Sequence, residues 1–398
     1  MHILVANLGS TSFKYRLFEG NTDALKLLTK GGYERVADYA VCIRDALAQM
    51  QSEGHLTGPE AIDAVGFKTV LGFEVTGCVA ADAHVIADLR KSAPLAPAHN
   101  PAYANGIEQF ARALPRARLV ALYETAFYQW AIPASRHYAV PESWEAIGVR
   151  RHGFHGASHK YIAERSAQLM GRDDVAQRVQ NLYHGELAPV ADSPLRVVSC
   201  HLGGSSSVTG ILNGCAIDTS MGLSPQSGLP QNNRVGELDS MAATYVMKTL
   251  GLSMEEVELQ LTRESGLLGL SGVSNDVRDI WEHASNGHAR ARLAMDSLVY
   301  SIRSYLGAYA FQMGGLDALV FTAGIGENAD FLRAAVCEGL EAYGIRLDAR
   351  RNAEVRGVEA CISQSDSPVK VFVIPANEEL VVARETARFL GSNPPKPA

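Results

Sequence analysis

Residues 7–14 read NLGSTSFK, and residues 201–207 read HLGGSSS. Each turn comes straight after a run of apolar β-formers. Working outward from the first, HILVANL reads as a buried strand, GSTS as a turn, FKYRLFE as an alternating strand and GN as a second tight turn into DALKLLTK. Around the second, RVVSCHL, GGSSS, VTGIL, NG and CAIDTSM keep the same order and similar lengths. The chain therefore carries an internally duplicated β-hairpin meander.

Helical patterns follow each meander. Ser158 is placed to cap HKYIAERSAQLM before Gly171, and Ser253 with Glu256 makes a capping box for MEEVELQLTRE before Gly266. ARARLAMDSLVYSIRSYLGAYAFQM predicts a long, mostly buried helix that ends at Gly314 and Gly315. The strand DALVFTA with GIGEN at its end, a helix through ADFLRAAVCEGLEAY, the strand KVFVI and a last helix EELVVARETARFL complete an α/β pattern. Two such units facing each other put both glycine-serine turns at one cleft. A polar turn of this kind offers backbone N–H groups and hydroxyls to a phosphate chain, and either one alone serves equally as a plain hairpin turn. Their occurrence at equivalent places favours phosphate.

Composition narrows the partners. At 398 residues the chain is long for one core and reads as two domains. A net charge of −7 supplies no basic block to release counterions from nucleic acid or to hold an anionic membrane. No stretch approaches the roughly 20 apolar residues that span a bilayer, and the start MHILVANLGSTS has no signal-peptide pattern. Cys42, Cys78, Cys200, Cys215, Cys337 and Cys361 are scattered without metal-ligand spacing, so a reduced, cytoplasmic protein is expected.

Further segments carry a resemblance. RRHGFHGASHKYIA (150–163), DTSMGLSPQSGL (218–229), SGLLGLSGVSNDVRDI (265–280), VFTAGIGEN (320–328) and VIPANEELVVARET (373–386) resemble, in order and spacing, the signature segments of the acetate kinase family. The resemblance runs from Asn7 to about Thr386. It implies a duplicated actin-like ATPase fold with ribonuclease H-like domains and a nucleotide cleft between them. Residues 1–130 with a returning helix at 379–398 form one domain, and residues 131–378 the nucleotide-binding other. It also implies ATP as co-substrate, magnesium with manganese as an alternative, a small carboxylic acid as acceptor, and a homodimer.

Residue by residue, Asn7, Ser10, Ser12 and Lys14 stand where the family's first phosphate loop does, with Asn7 toward magnesium or the transferred group. His155 is similar to the transition-state histidine, and Arg234 to the arginine that contacts the acyl phosphate. Glu378 matches the magnesium ligand, and His99 matches a further catalytic position. His201, Gly203, Gly204 and Ser205 form the second phosphate loop. Asp276, Val277 and Arg278 match the adenosine contacts, and Gly324, Ile325, Gly326 and Asn328 belong to the loop packed against the nucleotide. Val70, Ala98, Phe154 and Pro225 would line the acyl pocket. Each residue has a simpler alternative: His155 and His159 as a capping pair, Arg234 as a surface arginine, Glu378 as a first-turn acid complementing a helix dipole, Lys14 as a solvated strand face and His99 as part of an HNP turn.

The chain also departs from the family pattern. GFKTVLGF (66–73) stands where GHRVVHGG is usual, so Lys68 replaces an arginine expected on the substrate carboxylate, and Phe67 and Leu71 make that wall of the cleft more apolar. An ammonium keeps the charge but loses the two-pronged geometry. Glu124, in YETAFY, replaces an aspartate expected to position magnesium and its waters, and Gly204 replaces an asparagine. Ala98 stands where leucine is common, which opens space for a larger acid. The expected reaction is reversible transfer of the ATP γ-phosphoryl group to acetate or another short carboxylate. The alternatives are a propionate, butyrate or substituted-acid kinase, a pyrophosphate-dependent acyl kinase, and a nucleotide-binding regulatory paralogue without turnover.

Overall fold

The computed structural model describes residues 1–22 and 24–392. Twelve strands form two sheets among these residues. The first sheet holds β1 (His2–Gly9), β2 (Ser12–Gly20), β3 (Leu25–Glu34), β4 (Ala64–Thr69), β5 (Cys78–Ala80) and β6 (Arg118–Tyr123), in the order β3-β2-β1-β4-β6-β5. The second holds β7 (Arg196–Leu202), β8 (Ser206–Leu212), β9 (Cys215–Thr219), β10 (Ala318–Thr322), β11 (Ala360–Cys361) and β12 (Lys370–Val373). Read from its meander edge, its order is β9-β8-β7-β10-β12-β11.

The two orders superimpose strand for strand. In each sheet the meander is antiparallel, its first strand runs parallel to two further strands, and a short antiparallel strand closes the far edge. The duplication read from the two turns thus extends through the whole α/β unit. The fold is the duplicated actin-like arrangement.

Burial follows from the layering. The central strands are buried almost throughout because helices cover both faces. Helix Asn100–Ala113 packs against β1, β4 and β6, and so does helix Glu378–Ser392, so the end of the described chain returns to the first sheet. Residues 393–398 of the expected returning segment lie outside the described residues. A third apolar cluster joins Phe127, Tyr128 and the helix Gly156–Leu169 to Val197, Ile211, Val320 and Phe372 of the second sheet.

Three local expectations change. Ser158 is not a cap: the helix starts at Gly156 with His155 as its N-cap, and Ser158 is buried inside the first turn. GIGEN is helical, within Ala323–Asn328. The helix Ala289–Gln312 is only partly buried, with Ala291, Met295, Leu298, Ile302 and Leu306 inward, while Leu293, Tyr300 and Phe311 are exposed. Its apolar residues lie all round the helix, and tertiary packing covers one stripe of them.

Candidate active site

Lys68 lies on β4, and Glu124 directly follows β6, where its N–H donates to the carbonyl of Thr69 at 2.8 Å. Glu378 is the first residue of its helix. The Lys68 ammonium sits between the two acids, 3.1 Å from Glu124 Oε1 and hydrogen-bonded to Glu378 Oε2. Burial opposes the lysine's charge, yet Glu378 and Glu124 outweigh it and hold its pKa well above 10.5. Burial raises Glu124 above its ordinary 4.5; Lys68 offsets this only in part, and Glu378 adds to it. Glu378 moves the other way, because Lys68 and His201 overcome its burial. Glu124 Oε2 is buried and has no hydrogen-bond partner among the described residues.

A tight backbone contact holds this corner together. Gly156 N–H donates to the Glu124 carbonyl at 3.0 Å, and a Cβ on Gly156 would stand 2.1 Å from that oxygen. The residue before it, His155, has φ 60°, a left-handed conformation that is strained for a residue with a side chain. His155 stacks on His201 with ring centroids 4.1 Å apart. Burial first, then His201, His159, Lys68 and Arg234, hold the His155 pKa well below 6.5. His201, whose Nδ1 is 2.8 Å from Ser158 Oγ, is pushed down to about 4 chiefly by burial.

The remaining cations close the ring. Arg234 donates from Nη1 to Ser205 Oγ at 2.9 Å and to the Pro225 carbonyl at 3.3 Å, so Ser205 and Pro225 both support the guanidinium. His99, at the start of helix Asn100–Ala113, keeps contact with solvent; desolvation by the cleft walls, then the charges of Lys68 and Arg234, lower its pKa. Asn7 on β1 accepts from Tyr103 Oη at 3.1 Å. Lys14, its register partner on β2, is solvated and 3.4 Å from Glu34, and Ser10 is exposed in the hairpin turn that Gly9 and Ser12 close.

The second loop opens on a cavity of about 430 Å³. Gly203, Gly204, Asp276, Val277, Arg278, Gly324, Ile325 and Asn328, all singled out in the sequence, line it together. Gly326 does not: it is buried beneath, where its carbonyl accepts from Arg333. Two loop amides are already engaged, Gly203 N with Ser206 Oγ at 3.1 Å and Ser206 N with Gln231 Oε1 at 3.3 Å. Asn232 also lines the cavity, and its Oδ1 is buried without a partner among the described residues. A larger cavity of about 670 Å³ beside Leu306, Phe311 and Tyr343 holds none of the candidate site residues.

On the acyl side, Phe154 packs with Leu71 and Met221, and Val70 borders them. Ala98 is exposed. Phe67 is not part of the cleft wall as expected: strand alternation turns it away from Lys68 into the core of the first half, edge-on to Phe110 at 5.4 Å.

A sequence model described as the Acetokinase family matches residues 2–384. The chain belongs to the acetokinase family. Curated relatives in that family include an acetate kinase of Bacillus cytotoxicus, 39% identical with 97% of this chain and 98% of the relative covered. An acetate kinase of Oceanobacillus iheyensis is also 39% identical, over 98% and 99% of the two chains. Among solved structures, an acetate kinase of Porphyromonas gingivalis is similar at TM-score 0.87 and 34% identity, covering 98% and 99%. A propionate kinase of Francisella tularensis is similar at TM-score 0.80 and 30% identity, covering 96% and 98%.

Several members of this acetokinase-family site went unread in the sequence. Tyr103 and Met221 look like ordinary helix and loop residues and Ser199 like a core strand position, while His159 reads only as half of a capping pair and Ser207 only as part of its turn. None of these patterns carries a mark of the polar partners the fold brings to them.

Proposed function

We propose that this chain transfers the γ-phosphoryl group of ATP to acetate or a similar short carboxylate, reversibly, giving ADP and an acyl phosphate. One observation carries the reading: Lys68 is held between Glu124 and Glu378 in a cleft whose other walls present His155, Arg234 and His99, with one Glu124 oxygen unpartnered. Phosphoryl transfer asks for positioning and for donors around the equatorial oxygens. Here the carboxylate substrate is held by Lys68, and its oxygen attacks in line. Arg234 and neutral His155 donate to the equatorial oxygens, and His99 flanks the acceptor. The turns at 7–14 and 201–207 cradle the phosphates, with the nucleoside in the cavity beside Asp276 and Gly324.

Glu124, Glu378 and Asn7 fit magnesium, or manganese, because a hard cation takes carboxylate and amide oxygens and keeps waters. No cluster of three or more His, Cys, Asp or Glu stands ready for a metal among the described residues. This suits an ion shared with nucleotide phosphates. When bound, the ion would neutralise negative charge on those phosphates.

We divide the chain into residues 1–130 with 379–398 and residues 131–378, closing on each other over the substrates. Six free cysteines support a cytoplasmic location, and no helix among the described residues is long and apolar enough to cross a membrane. Exposed Met241, Tyr245, Leu250, Met254, Leu259, Tyr300 and Phe311 on the second half support a homodimer. The apolar corner of Leu71, Phe154 and Met221 supports a larger acid such as propionate as the second reading.

Hydroxamate trapping of acyl phosphate tests the function, using magnesium-ATP and formate, acetate, propionate, butyrate or hydroxy-acids, with pyrophosphate as a parallel donor. Product with ATP and one acid is expected. Nucleotide binding without product from any acid would move the regulatory reading ahead.

A further inference from the structure

Among the described residues, the His155 ring hydrogen-bonds at one nitrogen, while its face stacks on His201. Its Nδ1 is 2.9 Å from Ser207 Oγ, and that oxygen is also 2.8 Å from Nε2 of His159. His159 Nδ1 is in turn 2.8 Å from Ser199 Oγ. Ser199, Ser207 and His159 are fully buried. Burial, then His201, keeps His159 well below its ordinary pKa, as it does His155, so both rings are neutral and each carries one N–H and one lone pair.

Two tautomers for each of two rings give four arrangements; the one with the protons on His155 Nε2 and His159 Nδ1 orphans the Ser199 proton, which leaves three to weigh. A hydroxyl has one proton to give, so Ser207 can donate to only one of the two rings. If His155 Nδ1 holds the proton and Ser207 passes its own to His159, then His159 must donate from Nδ1 to Ser199. That leaves the Ser199 hydroxyl proton orphaned in the core. If both rings donate to Ser207, the Ser207 proton is orphaned instead. In the third arrangement Ser199 donates to His159 Nδ1, His159 Nε2–H donates to Ser207, and Ser207 donates to His155 Nδ1. Every buried proton in the chain is then paired, and unpaired buried donors are what folded proteins avoid.

We propose that His159 and Ser207 are positioning residues that fix His155 as its Nε2–H tautomer, with Ser199 anchoring His159 behind them. The half-exposed imidazole thereby presents a donor, and not a lone pair, to negative charge in the cleft. This assignment rests on the reading of His155 as a contact of the transferring phosphoryl group. It adds that the polarity of the histidine is set from behind, by the Ser207 hydroxyl and the His159 N–H that donates to it.

The test is ¹⁵N-histidine NMR of the intact protein, with kinetics of Ser199→Ala and Ser207→Ala. Expected are Nδ1 without a proton and Nε2 with one in both His155 and His159. In Ser207→Ala that signature is lost for His155, and kcat falls about tenfold to a hundredfold, the range seen when residues behind a site ligand are removed, while the KM for ATP stays within about twofold. Ser199→Ala keeps the signature and kcat, because His159 Nε2–H to Ser207 to His155 still pairs every proton. If Ser207→Ala does not fold, the native spectrum decides alone. A proton on His155 Nδ1 in the native protein overturns the proposal, as does unchanged kcat in a folded variant that has lost the tautomer. His155→Ala separates the two readings: full turnover there removes the histidine from the reaction, whereas lost turnover with an unaffected Ser207→Ala removes only the relay.

Discussion

Lys68 is the residue on which the site's charge balance turns. With the ammonium gone, Glu124 and Glu378 would face one another in a buried corner, and breaking such a pair by removing one partner costs about 3–5 kcal/mol. Lys68→Met should therefore be least stable at neutral pH. Glu124 already titrates above the ordinary carboxylate range, so acidification that protonates it should restore melting temperature, and added Mg²⁺ should raise the variant's melting temperature more than the native one. Thermal melts across pH with and without the ion check both; a variant indifferent to pH and metal would mean that the acids do not share a charge site. Lys68→Arg should raise the rate with acetate, since a guanidinium grips carboxylates in two places. His155→Ala and Arg234→Ala should each lower kcat about a hundredfold or more, as loss of one transition-state donor does, with nucleotide affinity from calorimetry little changed.

At the scale of elements, two helices hold the site, one opening at His155 and the other at Glu378. They are tied by a buried ion pair, Lys160 Nζ to Glu385 Oε1 at 2.8 Å, with His184 and Arg388 on the same carboxylate. Burial opposes the Glu385 charge, but Lys160, His184 and Arg388 bring its pKa down to about 2 from 4.5. A depressed acid stabilises the fold fully above its unfolded pKa and loses that contribution as pH falls through the folded value. Glu385→Gln should cost about 3–5 kcal/mol at pH 7, and the difference from native should shrink between about pH 4.5 and 2. Urea unfolding at several pH values measures this. Gly156→Ala should cost about 1–3 kcal/mol as an overpacked site and lower turnover, because the Glu124 carbonyl in its way is backbone.

For the whole molecule, the second sheet repeats the topology of the first, and the second half leaves a group of apolar side chains outward. Tyr245 is 68% exposed, which is costly for a large aromatic side chain unless a second copy covers it. Tyr245→Glu should shift the mass measured by light scattering from dimer to monomer. An unchanged mass, whether dimer or monomer, would place the contact elsewhere or remove it.

Both meanders, the capping box at Ser253 and Glu256, and the strands at β10 and β12 with the long helices of the second half are legible from the chain alone, because alternation and turn chemistry act between neighbours. So are the cavity residues from Gly203 to Asn328, which their segments mark individually. The helix that begins at His155 was misread by a few residues because Ser158 looks like a cap. Its hydroxyl instead serves His201, 43 positions away. Likewise Phe67 was placed in the cleft until the strand's alternation sent it to the core. The sequence by itself determined the repeated unit and the chemical kinds of group at the site. Only the tertiary structure decided that Lys68 would meet Glu378 across 310 positions, and that Ser199 would face His159 across 40. The physical reason is one of range: propensity and periodicity bind residues a few places apart, whereas the charge and proton balance of a buried site depends on side chains that meet only once two sheets and two helices have packed.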